Sequence, residues 1–251
     1  MIYFPPLNTS KLRVQLRELR VREDLEMLAV PPGKNEASAT KLLRFAVESS
    51  LGENSDPRRW TVQERTLAVA HYLSCVVDDG PNFAVGDSQS EGHGRLLDYL
   101  DTENDSAPYE VEAGTHGGST WFAKQINGAE AEVMEGLFSS RTDWIIADMA
   151  VRLRESDEPT SAPSAVDDPS GFSDWLSARV DVFKSMSESD FEALFVLCQT
   201  AKDGALHHLF SLGLDAGGYV VLPKGGGSHE LAAARFPANS AVGAIARAIG
   251  A

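Results

Sequence analysis

The 251-residue chain has little cysteine, no long apolar run and fewer basic than acidic side chains. Its two cysteines, Cys75 and Cys198, lie 123 positions apart and show no disulfide framework. We expect two buried free thiols, with a single disulfide as the alternative. No window approaches 18 consecutive apolar residues, so no membrane-spanning segment is expected. The first residues hold no apolar run after positive charge, so no signal peptide is expected.

The shortage of basic residues limits the classes of partner. There are 22 Lys and Arg against 37 Asp and Glu, which gives a net charge of −15. Residues 1–65 carry a net charge of +2, and the rest of the chain carries −17. Phosphate binding depends on clustered Lys and Arg, so we expect neither a nucleic-acid nor a membrane partner. The charge asymmetry favours docking between the N-terminal part and acidic partners or copies.

Signatures of catalysis or metal binding are also missing. The G-x-S-x-G motif of hydrolases is absent, and LPKGGGSHE places Lys224 before its glycines, the reverse of a phosphate-binding loop. His71 and Cys75 have the i, i+4 spacing of a metal-ligand pair, but no second pair completes a site. We expect no catalytic residue, no metal and no cofactor. A small enzyme with its site around His93 or His116 stays open, because both histidines lie in glycine-containing loops.

Helical periodicity and capping signals dominate what the chain does contain. Capping boxes predict helix starts at Thr61 and Ser187. Period-two alternation predicts strands within residues 11–21 and 109–126, the second forming a hairpin. We therefore predict an α+β fold that is predominantly α-helical, with one small antiparallel sheet. The predicted helices cover residues 22–28, 35–51, 61–77, 128–137, 142–153, 173–184, 187–202 and 239–249.

Composition divides the chain into three parts. Residues 155–171 contain three prolines and five acidic side chains, which is typical of a linker. We predict a mixed α/β domain over residues 1–154, an exposed linker over 155–171, and a C-terminal helical unit with a glycine-rich tail over 172–251.

Several short blocks resemble the baseplate-hub assembly and tail-assembly chaperone proteins of tailed bacteriophages. KLRVQLRELRVREDLEML resembles the basic strand and short helix that open those proteins, and WTVQERTLAVAHYL resembles the apolar helix that follows. NFAVGD, LLDYLD, WFAKQINGAEAEVMEGL and DWIIADMAVRL resemble later blocks, so the resemblance covers residues 11–155. ARFPANSAVGAIARAIG continues it near residue 251. Some of these relatives carry Cys-x-x-Cys ligand pairs, which this chain lacks.

The resemblance implies a non-enzymatic virion component or assembly factor that acts through protein–protein contacts. It would work in the host cytoplasm during assembly or in the virion tail, with other phage tail or baseplate proteins, or copies of itself, as partners. A small enzyme and a helical adaptor without a phage connection are the alternatives. The candidate interface residues are Arg13, Arg17, Arg20, Arg22, Trp60, Phe83 and Trp121. A solvated strand face is the alternative interpretation of the four arginines, and core packing is the alternative interpretation of the three aromatic residues.

Overall fold

The helices of the protein are separated by short strands along the whole chain. The structure is a computed structural model that describes residues 2–50, 55–77, 80–85, 94–158, 162–225 and 231–250. These residues form nine α-helices: α1 (Val21–Leu28), α2 (Asn35–Ala46), α3 (Val62–Val76), α4 (Leu96–Tyr99), α5 (Gly128–Leu137), α6 (Arg141–Arg152), α7 (Pro169–Lys184), α8 (Glu188–Asp203) and α9 (Ala244–Gly250).

The strands pair into four small antiparallel sheets, with the orders β1-β2-β3, β4-β5, β7-β8-β9 and β11-β10-β6. The described strands are two to seven residues long, so each sheet needs a helix against it to bury its apolar face. The strands are β1 (Leu7–Asn8), β2 (Arg13–Leu16), β3 (Val47–Ser50), β4 (Ala84–Val85), β5 (Gly94–Arg95), β6 (Leu100–Asp101), β7 (Glu110–His116), β8 (Ser119–Lys124), β9 (Leu153–Glu155), β10 (Leu209–Asp215) and β11 (Gly218–Leu222).

The expectation of a predominantly α-helical fold with one small sheet is wrong. Helical residues make up 48% and strand residues 21% of the structure, which is therefore mixed α+β. The strands within residues 11–21 and 109–126 belong to two different sheets rather than one. Most of the missed strands have only two to five residues, too few for period-two alternation to be visible in a sequence.

The helix starts follow from side chains that accept hydrogen bonds from free backbone N–H groups. Thr61 Oγ1 accepts from the N–H of Glu64 at 3.2 Å, while Glu64 accepts from the N–H of Thr61 at 2.9 Å. Ser187 Oγ accepts from the N–H of Asp190 at 3.2 Å. Both predicted helix starts are confirmed, with a full capping box at Thr61, whereas at Ser187 the Asp190 carboxylate accepts from the Ser187 hydroxyl instead of its backbone N–H.

The second helix ends earlier than predicted. Residues 35–51 were expected to be helical, but α2 ends at Ala46 and the next four residues form β3. Val14 and Leu16 of β2 pair with Ser50 and Val47 of β3. Pairing with a neighbouring strand therefore outweighs the local helical pattern at this point.

The segment expected to be a linker is tied to the helices around it. Ala165 is buried in the hydrophobic core, and Val166 is partly buried against that core. Arg179 of α7 donates from Nε and Nη2 to the backbone oxygens of Ala150 and Leu153, at 2.7 and 2.6 Å. These contacts join α7 to the end of α6 and to the start of β9. The proposed domain boundaries stay a prediction.

No described helix is both long enough and apolar enough to cross a membrane.

Candidate functional site

The carboxylate of Glu23 links helix α1 to the chain segment that precedes it. Arg17, just after β2, donates from Nη1 and Nη2 to the two oxygens of Glu23 at 2.8 and 2.9 Å. The backbone N–H of Arg20 adds a third hydrogen bond at 2.8 Å. The hydrogen bonds from Arg17 lower the pKa of Glu23 to about 2, against the cost of burial. The Arg17 side chain therefore has a structural role, because it links the end of β2 to α1.

The face that α1 turns inward is unusually polar. Glu23 and Asp24 are buried together with Met27, and α1 packs against α9 on this side. One oxygen of Asp24, Oδ1, has no hydrogen-bond partner among the described residues. Burial raises the pKa of Asp24 while the N–H of Gly243 acts in the opposite direction. Charged groups therefore occupy the side of the helix that apolar residues normally fill.

Of the four apolar residues of α1, Met27 is buried with the carboxylates and the other three lie on the solvent side. Val21, Leu25 and Leu28 are 52%, 37% and 39% exposed. Their i, i+4, i+7 spacing places them in one stripe along the helix. Two exposed arginines, Arg20 and Arg22, flank Val21. We call the surface formed by Arg20, Val21, Arg22, Leu25 and Leu28 the α1 face.

Three of the four predicted interface arginines are accessible. Arg13, Arg20 and Arg22 are exposed, and their side chains form no ion pair with any residue that the structure describes. Arg13 lies on β2. Arg17 differs, because both terminal nitrogens of its guanidinium are used by Glu23. The sequence could identify the arginines, but it could not distinguish the structural one from the others.

Two of the three predicted interface aromatics are buried, and the third is half-buried. Trp60 is 1% exposed, and Phe83 is buried edge-on against Phe236 with ring centroids 5.9 Å apart. Trp121 is half-buried against the core, and its Nε1 donates to the backbone oxygen of His116 at 3.4 Å. Core packing, the alternative interpretation of the aromatic residues, therefore describes Trp60 and Phe83.

The cysteine and histidine pair on α3 has other partners. His71 Nε2 lies 2.8 Å from the backbone oxygen of Pro5, and Cys75 lies next to Ser74. Both cysteines are free, Cys198 fully buried and Cys75 half-buried. Burial raises the pKa of the Cys198 thiol to about 12. No three His, Cys, Asp or Glu side chains in the described ranges meet in a way that could hold a metal ion. The absence of a metal or cofactor stays a prediction.

Histidines form two carboxylate pairs on the surface. His116 Nε2 lies 3.0 Å from Asp190, which links the end of β7 to the start of α8. His207 Nε2 lies 3.1 Å from Asp101, beside a cavity of about 310 Å³ that Ser211 also lines. No serine or cysteine side chain bonds to either ring among the hydrogen bonds of the described residues. His93, the other candidate, lies outside the described residues.

Comparison with protein-family models, curated proteins and solved structures found no match to this chain.

Proposed function

We propose that this chain is a non-enzymatic protein of a bacteriophage tail or baseplate and acts by binding partner proteins through the α1 face. The observation that carries the binding role is the orientation of α1, with carboxylates inward and aliphatic side chains outward. Covering an exposed aliphatic stripe with a partner lowers the free energy by about 25 cal/mol for each Å² of apolar surface removed from water. One of the inward carboxylates, Glu23, holds the helix in this orientation through Arg17.

The arginines beside the stripe favour an acidic partner surface. Arg20 and Arg22 are exposed, and Arg13 on β2 adds a third exposed cation that forms no ion pair with a residue the structure describes. Charges at the rim of an interface steer association and select partners, while apolar side chains at its centre supply most of the binding free energy. The partner that fits the α1 face presents an apolar ridge bordered by Asp and Glu side chains.

The phage assignment is supported by the sequence resemblance. The block KLRVQLRELRVREDLEML forms β2 and α1, so the proposed contact surface lies inside the segment that resembles tail-assembly proteins. A permanent place in the virion tail and a temporary role as a chaperone in the host cytoplasm both use such a surface.

Substitutions in the stripe test the proposal. We expect Leu25→Ser with Leu28→Ser to lower tail assembly at least about tenfold in cells producing the phage, counted as complete particles by electron microscopy. Val196→Ser is the matched control, because Val196 is an exposed aliphatic side chain on α8, at 54%. Normal particle numbers in the double variant would reject the α1 face.

Charge reversal tests the arginine rim separately. Arg13→Glu with Arg22→Glu should weaken capture of the partner tail protein, and the remaining binding should depend less on salt. Arg17 is left unchanged, since its loss would release Glu23. A self-association that the same substitutions abolish would identify a second copy as the partner. Turnover of a small substrate by the purified chain would reject the non-enzymatic class.

A further inference from the structure

A cavity of about 660 Å³ lies against the buried side of α1, between this helix, the end of α3 and α9. Half of the residues that line it are aliphatic: Ile2, Leu19, Val76, Val77, Ala241 and Val242. Ser240, Gly243 and Arg247 also line it and are exposed, so the cavity is open to solvent. We call this space the α1–α9 cavity. Its volume is in the range of sites that enclose a small organic molecule.

Three charged side chains line the α1–α9 cavity, and none of them forms an ion pair with a residue that the structure describes. Two are the carboxylates Glu18 and Asp24, and the third is the guanidinium of Arg247. Arg247 donates from Nη2 to the backbone oxygen of Ser240 at 2.9 Å. Two negative charges and one positive charge leave the lining with an excess of one negative charge.

Asp24 is the most buried of these charged side chains, at 9% exposure. The backbone N–H of Gly243 donates to its carboxylate, but Oδ1 has no hydrogen-bond partner within the described part of the chain. An ionised oxygen that is removed from water and has no donor is costly. A ligand that brings an N–H donor and a positive charge to Asp24 removes that cost.

The polar groups of the lining lie near one another. The hydroxyl oxygen of Tyr72, which is 1% exposed, accepts from the backbone N–H of Leu19 at 3.2 Å. Burial, together with the charges of Asp24 and Glu18, raises the pKa of Tyr72 to about 12. Both carboxylates are therefore close enough to this hydroxyl to act on it electrostatically, and the polar part of the cavity is acidic.

An ammonium attached to an apolar body fits this lining. It carries one positive charge, which matches the excess negative charge, and three N–H donors for acceptors such as Asp24. Its apolar body would remove the aliphatic walls from water. A metal ion would leave those walls uncovered, and no three metal-ligating side chains meet anywhere in the described ranges.

We propose that the α1–α9 cavity binds a small amine, with the ammonium on Asp24 and the apolar body against the aliphatic walls. The cavity lies on the buried side of α1 and the α1 face on its exposed side. This site therefore does not depend on the function proposed above.

The test uses hexylammonium as the probe, titrated into the full chain at pH 7, where an alkylamine is protonated as lysine is. 1-Hexanol is its uncharged counterpart, and ammonium chloride is its counterpart without an apolar body. We expect hexylammonium to shift the NMR signal of the Gly243 N–H, which donates to Asp24. Hexanol and ammonium chloride should bind at least about tenfold more weakly.

Three variants separate the role of Asp24 from general attraction to an acidic protein. Asp24→Asn should weaken hexylammonium binding at least about tenfold without lowering the midpoint of thermal unfolding, because the amide keeps an acceptor for Gly243. Glu26→Gln is the matched control, since it removes the same charge from an exposed position of α1 and should leave binding unchanged. Arg247→Gln should tighten binding, because it removes a like charge from the lining.

Several results would overturn the proposal. Equal binding of hexanol would remove the role of the carboxylate, and equal binding of ammonium chloride would remove the role of the aliphatic walls. Equal weakening by Glu26→Gln would mean general attraction to the acidic surface, and weaker binding in Arg247→Gln would mean that the site prefers an anion. If Asp24→Asn unfolds, the comparison of hexylammonium with hexanol in the unmodified chain decides alone, and equal binding or no binding rejects the proposal.

Discussion

Arg65 is almost completely buried between α2, α3 and α5. Its Nη2 donates to the backbone oxygen of Glu36 at 2.8 Å and to Thr40 Oγ1 at 2.7 Å. Burial raises the pKa of Glu36, and the charge of Arg65 opposes that rise. The space for the guanidinium exists because residue 128, at the start of α5, has no side chain.

Substitution of Gly128 tests this close approach. A Cβ at this position would lie 1.9 Å from Arg65 Nη1. We expect Gly128→Ala to lower the free energy of unfolding by about 1–3 kcal/mol, measured by urea denaturation. Gly136→Ala on the same helix is the control, because a Cβ there meets nothing within 4 Å. That variant should be more stable by about 0.5–1 kcal/mol. Equal effects at both positions would contradict the packing around Arg65.

Glu23 provides a prediction about pH. Its pKa in the folded chain is about 2, below the ordinary value of 4.5, because Arg17 holds the ionised form. Stability from this pair is fully present above pH 4.5 and is lost as the pH falls toward 2. In the Arg17→Gln variant the pKa of Glu23 should rise. The free energy of unfolding should then decrease less as the pH falls from 4.5 toward 2.

NMR titration of the Glu23 carboxyl carbon measures its pKa. Urea unfolding at pH 6 and pH 3 measures the loss of stability. Arg13→Gln is the control, because Arg13 forms no ion pair with a described residue. A Glu23 pKa near 4.5 in the unmodified chain would contradict the geometry.

At the scale of elements, α1 predicts opposite responses from neighbouring positions. Met27 is fully buried and Leu25 is exposed, although the two residues are only two positions apart. Met27→Ala should cost about 2–5 kcal/mol of stability, whereas Leu25→Ala should cost less than about 1 kcal/mol. Thermal unfolding of the two variants measures the contrast. A larger loss at Leu25 would mean that α1 faces the other way.

Local signals were enough to locate most helices, because caps such as Thr61 and Ser187 act within four residues of themselves. They were not enough for β10 and β11, which the sequence predicted as part of a glycine-rich tail. Gly213 lies inside β10, where the side chains of Val220 and Leu222 close over it. A glycine in a strand weakens the local pattern, and only the partner strand explains it.

The candidate site shows the same limit. The arginines of residues 13–22 and the apolar residues of α1 are visible in the sequence. Which side of α1 faces water is decided by Arg17, α9 and the N–H of Gly243, all outside the helix itself. Trp60 and Phe83 are equally ambiguous, since burial depends on contacts that are distant in the chain.

On the scale of the whole molecule, residues 172–251 pack closely against residues 1–154. Trp144 of α6 lies edge-on to Tyr219 of β11, with ring centroids 5.7 Å apart. The hydroxyl of Tyr219 donates to Asp148 at 2.6 Å. Burial alone would raise the pKa of Asp148, but the charges of Arg152 and Lys202 and the bond from Tyr219 lower it. Asp148, a buried carboxylate within residues 1–154, is therefore stabilised by residues 172–251.

The last prediction concerns cooperativity. Removing residues 159–251 would leave Asp148 and Arg152 without Tyr219, and it would expose Trp144 and the face of α6 that α7 covers. Exposing this apolar surface and losing the hydrogen bond from Tyr219 to Asp148 costs several kcal/mol, comparable to the stability of a whole domain. We therefore expect the full chain to unfold in one transition, with near-UV and far-UV circular dichroism coinciding. A fragment of residues 1–158 should show no cooperative transition, and proteolytic cleavage within residues 155–171 should leave the two pieces associated. Two separate transitions, or a stably folded fragment, would instead establish the two units and the linker that the composition predicts.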